Sequence, residues 1–154
     1  LDLLLHAPAI GRLELMLDAL QPGKRRLATI DRQRLALRLT DKAHQRGHRI
    51  FIHCEAEEQA RELDELLWSF RPASFLPHAL VSDNAGEQIC IGWGQEPGDH
   101  DDLLINLQLN VPPFFGRFHR VAEVVTQDPD SLEALRASWR FYQERGYQLE
   151  KHDL

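Results

Sequence analysis

The sequence predicts a single α/β domain of three layers, in which a mostly parallel central sheet is covered by helices on both faces. Two observations carry this expectation. Short apolar runs rich in branched and aromatic residues alternate with segments of helical period, the pattern of strands buried between helices. The length of 154 residues fits one domain, residues 1–154, which at this size removes roughly two-thirds of its unfolded surface from water. No repeat, low-complexity tract or linker points to a second domain.

Taken in order, Leu1–Leu5 and Leu13–Leu17 each read as a strand or a helical turn, and a strand is expected in one of them. Ile30–Arg46 has helical period, with Leu35, Leu39 and Ala43 on one stripe, Asp31 near its start and Gly47 at its end. His48–Cys54 reads as a buried strand, and Glu55–Phe70 returns to helical period through Ala56, Ala60, Leu63 and Leu67. Two prolines break that helix in the segment Arg71–His78, which holds Phe75 and Leu76, and Ser82–Glu87 forms a polar turn. Gln88–Trp93 and Leu103–Leu107 are strands joined by a loop rich in Gly, Pro and Asp. Phe114–His119 is a short turn or helix, and Arg120–Val125 is the last predicted strand. Asp130 and Glu133 have the spacing of a capping box that opens a final helix, running to about Arg145 and closed by Gly146.

Composition bounds function more weakly. The formal charge of −6, from 24 acidic against 18 basic side chains, repels nucleic acid on average and argues against direct phosphate binding. Cys54 and Cys90 each sit in an apolar run, so both are expected to be free core thiols. No apolar run approaches the roughly 18 residues of a membrane span and no cleavable leader opens the sequence, which makes the cytoplasm the expected compartment.

Candidate chemistry is sparse. Nucleotide binding asks for closely spaced glycines after a strand, so that backbone N–H groups reach phosphates; Gly92, Gly94 and Gly98 are too loosely spaced. His53 and Cys54 are consecutive on a strand and point to opposite faces, which spoils them as joint metal ligands. The loop Asp99–Asp102 reads as a solvated acidic loop. Ser74 and Ser131 have explanations as turn and capping residues, and no nucleophile motif is present. No catalysis, cofactor or metal is expected; a nucleotide-dependent α/β enzyme is the competing class.

Several segments in a fixed order are more specific. Glu62-Leu-Asp-Glu-Leu-Leu-Trp68 followed by Ser74-Phe-Leu-Pro-His78 resembles a helix ending in Leu-Asp-x-x-Leu-Trp and a Ser-Phe-x-Pro-His segment of the DNA polymerase III chi subunit family, a clamp-loader accessory protein of bacteria. Leu103-Leu-Ile-Asn-Leu107 is similar to the family's Leu-Ile-Asn-Leu strand, Phe118-His-Arg-Val-Ala-Glu-Val-Val125 to its Phe-x-Arg-Val-x-Glu-Val-Val strand, and Arg136–Leu149 to its last helix and tail. The resemblance spans about Ile30–Leu149. Residues 1–28 depart from it, because the short Phe-Tyr-x-Leu strand with which the family opens is missing.

The resemblance implies a non-catalytic adaptor with two partners: the psi subunit of the clamp loader and the acidic C-terminal tail of single-stranded-DNA-binding protein. It carries psi binding onto Trp68, Phe75, Leu76 and His78, a surface that an iron–sulfur helicase of the YoaA type also uses. Tail binding falls on Arg136, Trp139 and Arg140, with Val125 for the apolar slot. A family lysine one turn before Arg136 is Leu132 here, which is expected either to weaken the charge component or to shift it to another basic residue such as Arg117 or Arg120. An acidic tail ending in phenylalanine suits this set, since it needs a basic fork for the carboxylate and an apolar slot for the ring.

Overall fold

A computed structural model describes residues 12–17, 25–69, 77–80, 87–94, 97–125 and 129–153. In chain order these form β1 (Arg12–Leu17), α1 (Arg25–Gln45), β2 (Ile50–Cys54), α2 (Glu57–Ser69), β3 (His78–Leu80), β4 (Ile89–Trp93), β5 (Leu103–Asn106), β6 (Arg120–Val125), α3 (Pro129–Glu144) and β7 (Gln148–Asp153). A 3-10 turn at Phe115–Arg117 precedes β6. The seven strands make one sheet in the order β3-β4-β2-β5-β6-β1-β7, and every pairing is parallel.

Strand alternation sorts the side chains into two cores. Ile50, Ile52, Cys54, Ile89, Ile91, Leu103, Ile105, Ala122 and Val124 share one core with Leu35 and Leu39 of α1 and Leu63 and Leu67 of α2. The intervening residues Phe51, Cys90, Leu104 and Val121 face Phe114, Phe118 and Tyr142, with Leu135 and Trp139 of α3 packed around them. Helices therefore cover both faces. Each fully buried large apolar side chain contributes about 1.5–3 kcal/mol relative to its exposed state.

Both predicted glycine stops are used. Gly47 and Gly146 have φ of 82° and 80°, a left-handed conformation that a Cβ would strain. Each lets the chain turn back on its helix, with His48 N–H donating to the Ala43 carbonyl and Tyr147 N–H to the Tyr142 carbonyl.

The expectation of a strand near the start is met by β1, which pairs with β6 and β7; Leu1–Leu5 lies outside the described residues. A strand thus precedes α1 even though the family's aromatic signature is missing. Helix α1 begins at Arg25, earlier than its apolar stripe suggested. Two strands were not anticipated. β3 is three residues long, and β7 reads Gln-Leu-Glu-Lys-His-Asp, so neither carries an apolar run. Both are sheet edges, where half of the backbone faces away from any partner strand and the apolar requirement relaxes.

Candidate functional site

Helix α3 lies across the second core with Tyr142 and Ser138 buried and Leu135 and Trp139 half-buried, which turns Arg136 and Arg140 outward. The two arginines are one helical turn apart and neighbour Trp139 on the helix surface. Among the described residues neither forms an ion pair, whereas Arg145 lies 3.7 Å over the Phe141 ring at the end of the same helix. Val125 is the last residue of β6, and its side chain lies outside what the structure describes. The expected charge replacements behave differently. Arg120 is fully buried and unavailable to a surface ligand, which corrects that expectation; Arg117 is exposed and donates to the Gly98 carbonyl.

On the opposite face of the sheet Trp68 lies near the end of α2 with 58% of its surface exposed, and Leu66 is exposed on the same helix. The Trp68 ring rests on His78, with centroids 4.6 Å apart. His78 is buried, and its Nε2 lies 3.2 Å from the Asp64 carbonyl and 3.3 Å from the Asp64 carboxylate. Its role is therefore to seat the tryptophan and fasten β3 to α2. Phe75 and Leu76 lie outside the described residues.

The residues set aside as chemistry are occupied structurally. Asp102 accepts from the Arg49 N–H and pairs with His48, while Asp99 pairs with Arg49 at 3.2 Å. His53 points away from Cys54 as strand alternation requires, packs edge-on to Phe114 and meets Gln108 through Nε2 at 3.2 Å. Cys54 and Cys90 are free, buried thiols; burial raises both, Cys90 to about 11.

Sequence reasoning missed a buried polar hub at the carboxyl ends of the strands. Arg32 of α1 donates to Ser131 Oγ at 2.8 Å, to the Leu107 carbonyl at 3.3 Å and to Glu55 at 3.1 Å, joining α1, β2, β5 and the start of α3. Beside it the Glu123 carboxyl accepts from Tyr142 Oη at 2.8 Å and from Asn106 Nδ2 at 3.0 Å. Burial is the main influence on Glu123 and pushes it up to about 7, against the opposing pull of Asn106, Tyr142 and Arg32. A crevice of about 10 Å³ is lined by Glu123 together with Gln108, Leu135, Ser131 and Ser138. That has room for about one water molecule, far below the hundreds of Å³ of a nucleotide pocket. A signal for the hub did exist. Arg32 interrupts the apolar stripe of Leu35 and Leu39, and Glu123 interrupts the apolar run of β6.

The comparisons with known proteins agree on one group. Residues 25–150 match the family model described as DNA polymerase III chi subunit, HolC. The chain is 46% identical over 123 residues to DNA polymerase III subunit chi of Pseudomonas aeruginosa, covering 80% of this chain and 87% of that protein. Subunit chi of Haemophilus influenzae is 32% identical over 124 residues, 79% of this chain and 86% of its own length. That of Escherichia coli is 32% identical over 106 residues, 67% and 72% of the two chains. Among solved structures, a DEAD box protein from Methanococcus jannaschii superposes with a TM-score of 0.54 over 93% of this chain, which spans only 42% of that protein. At 11% identity this is a likeness of fold alone.

Proposed function

Since this chain belongs to the DNA polymerase III chi subunit family, we propose that it serves DNA replication as a non-catalytic adaptor, joining single-stranded-DNA-binding protein to the clamp loader through psi. The observation that carries the reading is the outward pair Arg136 and Arg140 beside half-buried Trp139 on α3. On a chain of net charge −6 this is a local cationic spot next to apolar surface, suited to an acidic peptide that ends in a phenylalanine carboxylate. Each exposed charge contributes only about 0–1 kcal/mol, so affinity depends on both arginines acting together with ring burial against Trp139.

Titrating the full chain with a labelled tail peptide, followed by fluorescence anisotropy, tests this. Binding is expected to weaken as salt rises, and Arg136→Ala is expected to reduce it by about threefold to fivefold, the upper part of what one exposed charge contributes. An affinity indifferent to Arg136 would rule out the carboxylate fork.

The psi face is a second, separate surface that includes Trp68, with His78 beneath it, and to which the resemblance assigns Phe75 and Leu76. An exposed tryptophan seated on a buried histidine is a preformed anchor, of the kind that dominates protein interfaces. Trp68→Ala is expected to weaken psi capture by about 2–3 kcal/mol, some 30-fold to 150-fold, while the tail peptide still binds. Simultaneous loss of both activities would indicate unfolding. A helicase of the YoaA type is the alternative occupant of this face, and pull-down from extract with Trp68→Ala as control identifies which partner it holds.

A further inference from the structure

The proposed docking helix lies directly over a buried chain of polar groups that no docking role has used. In one register row across the sheet stand His53 of β2, Asn106 of β5 and Glu123 of β6. Gln108 bridges the first two, meeting His53 Nε2 with its side chain and donating its N–H to Asn106 Oδ1 at 3.1 Å. Tyr142 of α3 completes the chain through its 2.8 Å bond to Glu123. This line of hydrogen bonds runs from the loop after β5 to the underside of the helix that bears Arg136, Trp139 and Arg140.

Asn106 is overcommitted. Its amide has two N–H donors, but four acceptors lie at 3.0–3.1 Å: the Gln108 and Asn110 carbonyls and both Glu123 oxygens. A charged carboxylate competes for these donors more strongly than a neutral one. Ionising Glu123 therefore draws the amide toward itself and releases a loop carbonyl, whereas neutral Glu123 leaves the amide to the loop. The adjoining crevice, lined in part by Glu123, has room for about one water molecule.

We propose that Glu123 is a proton-linked positioning residue for the α3 face: an acidic peptide binds best when the Glu123 carboxyl is protonated, and charging that carboxyl weakens the peptide's hold. This deepens the docking reading and rests on it. Two effects act in the same direction. Negative charge beneath the helix opposes an anionic ligand on its outer side, and the shift of Asn106 loosens the loop and crevice wall against which α3 packs. Among the described residues, one cation acts on Glu123 and it is shared with other acceptors. Tyr142 faces it from α3, Asn106 from β5, and Leu15 is its register neighbour in β1. Arg32 of α1 is the cation it feels, and that guanidinium is engaged with Glu55, Ser131 and the Leu107 carbonyl. His53 lies three hydrogen bonds from Glu123 along the chain, where burial favours its neutral form.

The sign follows from burial. Glu123 changes charge around pH 7, so peptide binding takes up protons there and weakens as pH rises. The test is calorimetric titration of the full chain with the synthetic tail peptide between pH 6 and pH 8.5, in two buffers of different ionisation enthalpy. The parent is expected to bind about fivefold more weakly at the upper pH and to take up protons in the middle of the range. Glu123→Gln is expected to abolish both effects while still binding. Tyr142→Phe, which removes a donor to the carboxylate, is expected to move the break to higher pH. If Glu123→Gln retains the parent's slope, or if Tyr142→Phe leaves the break in place, the proposal is overturned. Should the Gln protein fail to fold, Tyr142→Phe decides alone. Absence of peptide binding at every pH sinks the docking reading itself and this inference with it, a result distinguishable from binding without proton linkage.

Discussion

Urea unfolding of a Glu123→Gln protein is expected to gain on the parent by about 3 kcal/mol between pH 4.5 and pH 8. Burial raises the folded Glu123 carboxyl from its usual value of 4.5 to about 7, so the native state holds a proton that the unfolded chain gives up. Stability from this group is present below pH 4.5 and is lost as pH climbs through 7, at about 1.4 kcal/mol per unit of the interval. Glutamine keeps the shape, accepts from Tyr142 and Asn106, and has no proton to lose. In thermal melts at pH 8 the variant is expected to lead by about 6–12 °C relative to its standing at pH 4.5, using the scaling for a chain of this size. A difference that stays constant with pH would remove the raised carboxyl from the account. This result needs no partner, so it checks the buried hub apart from any docking role.

Arg32→Met is expected to destabilise the fold by about 2–3 kcal/mol at neutral pH, the second of the large effects. The guanidinium is 7% exposed and ties Ser131 to the Leu107 carbonyl, 24 positions away in sequence and on the far side of the β5–β6 crossover. Methionine refills much of the volume but donates nothing, so the Ser131 hydroxyl and the Leu107 carbonyl each lose one charge-assisted donor. Glu55 is half-exposed and regains water, so its bond adds little to the loss. The cost is expected to shrink when Ser131→Ala is already present, by about 1 kcal/mol in a double-mutant cycle. Strict additivity would mean that the Arg32 to Ser131 bond does not anchor α3.

The central strands were legible because their signal is local. Ile50–Cys54, Ile89–Trp93 and Leu103–Asn106 lie between two helical layers, and a strand buried on both faces must be apolar along its whole length. The three helices were legible for a related reason, since a stripe such as Leu35, Leu39 and Ala43 is visible in any short window and Gly47 and Gly146 mark where two of them end. For the proposed docking helix, spacing alone put Arg136 and Arg140 on a common face. It was the packing of Leu135 and Tyr142 that fixed which way the face points.

What lay beyond the sequence was decided by sheet order. β3 and β7 are strands only because β4 and β1 offer them an edge, and their own residues carry no periodic demand for burial. The polar hub depends on the same order: Asn106 meets Glu123 because β5 lies beside β6, and Arg32 reaches Ser131 across 99 positions because α1 and the start of α3 converge at the strands' carboxyl ends. By itself the sequence determined the alternation of buried strands and amphipathic helices, since apolar spacing is a property of neighbouring residues. Only the tertiary structure decided which strands flank the sheet, that Arg120 is sealed away from any ligand, and that a titratable carboxyl sits beneath the proposed docking helix, because each of these depends on contacts between distant parts of the chain.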